Sequence, residues 1–298
     1  MEVTHLLKAQ VVRGLQEIRK NYTGTDRQFA SKHGINPSSY STLKNGELMG
    51  NILKESKWIE LANELGINAA WAIVKTEVFE HIEIDVQFCS AESTSLMLID
   101  DQGIGKTAAA KYLSKSLKNC FHIDCTQNRT RIQFAKNFAR IIGIPSTGSH
   151  IEVKENIKVH LRSLTRPVVI LDEAGDLEYA TFLEIKEFWN ATDGFCGWYM
   201  MGADGLRAKF ERGMQHRKVG FREMFSRFNG RYGRIVPTNP QERQQFYRKL
   251  ITDVLGPNLP ASEIPAIVVK CLANDAAGES GDLRRTITMI KLRRHERN

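Results

Sequence analysis

Five consecutive residues, Gly103-Ile104-Gly105-Lys106-Thr107, have the types and spacing that grip phosphate. Glycines let backbone N–H groups turn toward anionic oxygens. The lysine reaches the terminal phosphates, and the threonine hydroxyl can ligate magnesium. A helix starting at the loop presents its positive end. Both flanks suit this chemistry. The apolar run Ser95-Leu96-Met97-Leu98-Ile99 reads as a strand emptying into the loop, and Thr107 to Leu117 is a good helix former. Gly103, Ile104, Gly105, Lys106, Thr107 and Ala108 are therefore the predicted cradle for ATP. One position departs from the full pattern. It wants glycine six residues before the lysine, and Asp100 stands there. A carboxylate beside phosphates is unfavourable unless it points away, so weakened nucleotide affinity is expected.

A second segment complements the loop. Pro167-Val168-Val169-Ile170-Leu171-Asp172-Glu173 is a continuous apolar run ending in two acids. Such a run reads as a strand buried on both faces of a parallel sheet. Asp172 is then placed to hold Mg2+ with Thr107, directly or through water. Glu173 is placed to polarise an attacking water.

The elements that must position these groups follow from the rest of the chain. At 298 residues, with 42% apolar content, it can bury a substantial core and hold two or three domains. No apolar run approaches a membrane span, and the N-terminus lacks a signal peptide's layout. The expectation is a cytoplasmic protein without a membrane partner. Five scattered cysteines and eight histidines show no metal-ligand spacing, so reduced thiols and no structural metal are expected. The net charge of +8 is unevenly spread. Residues 207–234 hold nine Arg/Lys against Glu211 and Glu223, and residues 284–298 hold six against Glu296. Clustered positive charge favours a polyanion.

Three regions emerge: 1–80, 81–237 and 238–298. The first reads as helices. Leu6 to Arg19 has helical spacing. Between Thr25 and Gly46, Phe29 and Ala30 point inward, Gly34 turns, Ile35 plugs the core, Asn36 caps and Pro37 starts the next helix. Tyr40 and Leu43 point inward, and Asn45-Gly46 stop it. This grammar resembles helix-turn-helix domains of the repressor type, with a purely protein-binding three-helix module as the other reading. It turns Ser38, Ser39, Ser41 and Lys44 toward a DNA groove, with short side chains that read bases weakly. Lys57–Leu65 and Ala69–Glu77 read as further helices. From about residue 85, strands at 95–99, 120–125, 168–171, 197–201 and 233–236 alternate with helices at 106–117, 129–142, 151–163, 179–190 and 205–225. That series implies an α/β fold with a parallel sheet. Helices at 241–254, 265–274 and 283–293 follow.

Together these residues resemble an AAA+ ATPase, and specifically the Mu-type transposition ATPases (MuB), with IstB and TnsC as relatives. The resemblance implies an AAA+ P-loop core behind a helix-turn-helix domain and before a small helical lid. It implies an arginine finger at Arg227 in Ser226-Arg227-Phe228, with Arg222, Arg231 and Arg234 close by. It implies sensor residues at Asp204, after the fourth strand, and at Arg284 in Gly281-Asp282-Leu283-Arg284, with Arg285 as alternate. DNA-contacting loops are implied at Thr126–Arg131, hence Arg129, Thr130 and Arg131. The basic stretch Arg207–Lys218, hence Lys209, Arg217 and Lys218, is a second candidate. The implied function is an ATPase that self-associates into a ring or helical filament on double-stranded DNA and delivers it to a transposase. The implied setting is a bacterial cell's nucleoid. A helicase-loader ATPase and a nucleotide-switched transcriptional regulator are the alternatives.

Overall fold

The computed structural model describes residues 3–22, 24–48, 50, 52–65, 67, 74–273 and 281–296. The chain divides into two units, Met1–Val74 with Lys115–Lys118, and Lys75–Ser114 with Asn119–Asn298.

In the first unit, α1 (His5–Asn21) is capped by the Thr4 hydroxyl, which accepts from the Leu7 amide. α2 (Asp26–Lys32) opens with a reciprocal capping box between Thr25 and Gln28. Gly34 then turns the chain at φ +61, a conformation that favours glycine. Asn36 Oδ1 accepts from the Ser38 amide at the head of α3 (Pro37–Lys44). α4 (Glu55–Glu64) adds Trp58 and Leu61 to a core of Leu7, Val11, Leu15, Phe29, Ile35, Tyr40 and Leu43. The Phe29 ring sits at its centre, 5.4, 4.5 and 5.3 Å from the rings of Tyr22, His33 and Tyr40. The inward and outward residues of α2 and α3 are those the spacing predicts.

The second unit begins with a helix that the sequence pattern does not predict. α5 (Glu77–Glu92) buries Val78, Phe79, Ile82, Val86 and Cys89. Its other face exposes Ile84 and Phe88, which blurs the helical period. The boundary at residue 80 falls inside this helix. The predicted helix at 69–77 lies mostly in 68–73, outside the described residues; Thr76 is extended and caps α5.

Four parallel strands follow: β1 (Ser95–Ile99), β2 (Cys120–Asp124), β3 (Val168–Asp172) and β4 (Gly197–Gly202), in spatial order β1-β4-β3-β2. Every residue of β3 and β4 is buried, so helices cover both sheet faces. The crossovers are α6 (Lys106–Ser116), α7 (Arg131–Ile142), α8 (His150–Ser163) and α9 (Tyr179–Ala191). A single 3-10 turn, Ala174–Asp176, precedes α9. The predicted helix at 205–225 is two helices, α10 (Asp204–Gln215) and α11 (Phe221–Arg227), because the chain turns at Arg217 (φ +50) and Gly220 (φ +93).

The predicted fifth strand at 233–236 is reduced to one bridge. Gly233 exchanges hydrogen bonds with Met97 and Ile99 beside β1. Beyond it, the amides of Ile235 and Val236 donate to the Asp100 carboxylate, so a side chain takes the place of the strand ladder. The last three helices are α12 (Pro240–Leu255), α13 (Ile264–Leu272) and α14 (Leu283–His295). Asn274, the predicted end of α13, lies outside the described residues.

Candidate nucleotide site

The loop between β1 and α6 is built around two glycines that no other residue replaces well. Gly103 has φ +68 and Gly105 φ +103. A Cβ on Gly103 would overlap the Asp282 carboxylate, which stands against the loop. The Leu283 amide, at the head of α14, donates to Gly103 O at 3.0 Å. Ile104 is buried, Thr107 half-buried and Ala108 exposed.

Lys106 is 5% exposed, and its ammonium donates to the carbonyls of Asp100 and Asp101 at 2.8 and 2.5 Å. Burial pushes its pKa down, and the charges of Asp100, Glu173, Asp172 and Asp101 oppose that. The Asp100 side chain is engaged by the backbone. Its buried carboxylate accepts from the amides of Asp101, Ile235 and Val236 at 2.8, 2.5 and 2.9 Å.

Asp101 brings in Tyr247 and Arg243, which sequence reasoning missed, and Arg234, which it names only as a neighbour of the arginine finger. Its carboxylate accepts from Tyr247 Oη at 2.7 Å, pairs with Arg243 Nη2 at 2.6 Å, and lies 3.4 Å from Arg234 Nη2. Tyr247 and Arg243 belong to α12, so the loop is tied to the C-terminal helices at both Asp101 and Gly103. Spacing carries no signal for contacts 146 residues apart.

The two acids emerge at the end of β3. Asp172 is 1% exposed. Its Oδ2 lies 3.1 Å from His122 Nε2, while Oδ1 is buried with no hydrogen-bond partner among the described residues. Glu173 sits at φ +52, a left-handed conformation uncommon outside glycine. Burial and the neighbouring Asp172 push its carboxyl above the ordinary range; Lys106 and Arg284 pull it back. Lys106, Asp172, Glu173 and Arg284 thus share one electrostatic environment. Arg284 is exposed at the start of α14. Its alternate, Arg285, is committed elsewhere, donating from Nη1 to Ala273 O at 2.6 Å. Asp204 is exposed at the first turn of α10.

Arg227 stands at the other end of the sheet. Its guanidinium lies 4.8 Å from the centre of the Trp189 ring, and Trp189 Nε1 donates to Ser95 Oγ, at the start of β1. A five-residue strand, about 16 Å long, separates that point from the loop. Arg227 Nη1 is buried without a hydrogen-bond partner among the described residues.

The residues proposed to face DNA divide into free and committed groups. Arg131, Arg217 and Lys218 are exposed, and Lys218 lies 5.6 Å from the Tyr179 ring centre. Thr130 caps α7 without a side-chain bond. Arg129 pairs with Asp176 Oδ2 at 3.2 Å and bonds Thr126 O. Lys209 departs from the expectation. Its half-buried ammonium bonds the carbonyls of Gly175 and Leu177, clamping the turn after the two acids, and burial lowers its pKa. Lys44 departs likewise. It pairs with Asp26 at 2.8 Å, and hydrogen bonds from Lys44 and Arg19 hold the Asp26 carboxyl below its usual range. Ser38 is exposed, its hydroxyl donating to Asn36 Oδ1 at 2.7 Å, and Ser39 is half-buried.

The donor set fits a magnesium nucleotide. The loop offers a glycine cradle and a lysine, and the Thr107 hydroxyl and the orphaned Asp172 Oδ1 are the hard oxygen donors that Mg2+ takes. Among the described residues, no helix is long and apolar enough to cross a membrane.

Residues 90–210 match the model of a family described as an AAA domain. The match begins within α5, takes in the loop and both acids, and ends within α10. It supports an AAA-type ATPase, and the four-stranded parallel sheet is consistent with an AAA+ P-loop core. No curated protein matches the chain.

Proposed function

We propose that this protein is an ATP-dependent, largely sequence-nonspecific DNA-binding ATPase that assembles on duplex DNA and delivers it to a transposase. The observation that carries the nucleotide half is the convergence of Lys106, Asp172, Glu173 and Arg284 beside a loop whose two glycines take positive φ. On this reading, the Lys106 ammonium leaves the carbonyls of Asp100 and Asp101 for the terminal phosphates. Thr107 and Asp172 hold magnesium, which supplies charge neutralisation on the phosphoryl oxygens. Glu173, with a raised pKa, orients the attacking water and accepts its proton. Arg284 stabilises charge from the side of α14. Arg227, packed on Trp189, is assigned to a neighbouring copy's nucleotide, as the resemblance implies.

The DNA half rests on charge. Arg212, Arg217, Lys218 and Arg222 are exposed and form no ion pair among the described residues. Arg212, Lys218 and Tyr179 line one pocket. Guanidinium, ammonium and ring suit phosphate and sugar contacts that carry no base information. With Lys44 paired to Asp26, α3 offers little that reads bases, which supports tolerance of sequence.

Calorimetry with an adenine nucleotide, and anisotropy on labelled single- and double-stranded DNA, test this. Lys106→Ala is expected to weaken nucleotide uptake about 10- to 100-fold, the worth of charge-assisted hydrogen bonds. It is also expected to abolish nucleotide-dependent binding to duplex. Wild-type protein that takes up no nucleotide at millimolar levels, or a Lys106→Ala variant that binds duplex normally, would sink the reading.

A further inference from the structure

His122 lies on β2 with its side chain 11% exposed, and Asp172 ends the neighbouring β3 with its side chain 2% exposed. The 3.1 Å contact runs from His122 Nε2 to Asp172 Oδ2. A carboxylate offers only acceptors, so Nε2 carries the hydrogen and donates it. The backbone of Asp172 is already held, because its carbonyl accepts from the Cys125 amide at 2.9 Å. What remains free at Asp172 is side-chain rotation, and the imidazole removes it. The bond engages one carboxylate oxygen and leaves Oδ1, buried and without a partner among the described residues.

We propose that His122 is a positioning residue for the metal site: it fixes the Asp172 carboxylate so that Oδ1 is left for the magnesium shell of the bound nucleotide. This rests on the nucleotide reading of the loop. It gives His122 the outer-shell role in which a histidine orients a ligand without being one. The absence of ligand spacing among the histidines is compatible with that role.

The test uses the full chain and a fluorescent adenine nucleotide, titrated with MgCl2 and, separately, held in EDTA. His122→Phe keeps an aromatic side chain on the strand and removes the donor. It is expected to raise the Mg2+ concentration for half-maximal uptake about tenfold or more, in line with outer-shell losses elsewhere. Uptake in EDTA should stay within about twofold, because the bond serves the metal alone. His122→Gln restores an N–H donor and should return the Mg2+ requirement to within about threefold of wild type. If His122→Phe does not fold, His122→Asn, whose amide is too short to reach Oδ2, takes its place. Three results overturn the proposal while leaving the nucleotide reading intact: an unchanged Mg2+ requirement, equal impairment of the Gln and Phe variants, or a parallel loss in EDTA. Wild-type protein that takes up no nucleotide in either condition overturns both.

Discussion

Glu173 shows how one side chain's surroundings set its chemistry. Burial, with Asp172 next to it, raises its carboxyl pKa above the ordinary 4.5. A carboxyl that holds its proton more tightly in the folded state makes stability fall as pH rises from about 4.5 through the folded pKa. Glu173→Gln removes that penalty. Its melting temperature should therefore exceed wild type at pH 7, and the difference should close below pH 4; scanning fluorimetry at both values checks the sign. The same variant should retain nucleotide and lose turnover by about 100-fold or more, the usual worth of a general base. A Gln variant that hydrolyses ATP like wild type would remove Glu173 from the mechanism.

Loops and helix ends explain why an acid occupies the first position of the phosphate loop. Asp100 serves the segment after α11, where its carboxylate replaces the strand partner of Ile235 and Val236. Asp100→Gly would restore the glycine that the full loop pattern wants, yet it should destabilise the fold. The amides of Asp101, Ile235 and Val236 would lose their acceptor, at about 1–3 kcal/mol each where buried. Denaturant unfolding measures this, and a variant as stable as wild type would show that water or a shifted backbone satisfies those amides. Two charged partners, Arg234 and Arg243, stand at the adjacent Asp101, so one short loop joins β1, the residual fifth strand and α12. The loop is thereby tied to the C-terminal helices at Asp101 and Gly103.

Under the proposed assembly, Arg227 acquires a use. It is packed on Trp189, with Nη1 buried and without a hydrogen-bond partner among the described residues. Under the proposed function, Arg227→Ala and Lys106→Ala are each inactive alone for different reasons, one lacking the finger and the other the grip. Mixed together, they should recover part of the wild-type ATPase rate, because some joints then pair an intact loop with an intact arginine. A mixture no more active than either variant would place the arginine's action elsewhere, at Arg222, Arg231 or Arg234. The distribution of charge belongs here too. The run from Arg207 to Arg234 looks uniformly basic as text, but its members differ once folded. Lys209 is spent on carbonyls and Arg207 on Glu211, while Arg212, Arg217, Lys218 and Arg222 are exposed and form no ion pair among the described residues.

Local physics made much of this protein readable before folding was considered. The glycine loop between strand and helix, the doubly buried β3 with its two terminal acids, and the cap-and-turn grammar from Thr25 to Gly46 depend on neighbours within a few residues. Steric and hydrogen-bonding preferences write such features directly into residue types. Helix α5 escaped because apolar residues on both of its faces cancelled its period. The split between α10 and α11 escaped because a non-glycine residue, Arg217, takes positive φ there. The orientation of Asp100, the ties from Asp101 to α12, the pairing of Lys44 with Asp26 and the imidazole on Asp172 lay beyond any reading of the chain alone. Each is a contact between groups 18 to 146 residues apart. Only packing brings such groups together, because pairwise spacing in a chain carries no distance information once strands and helices have been stacked.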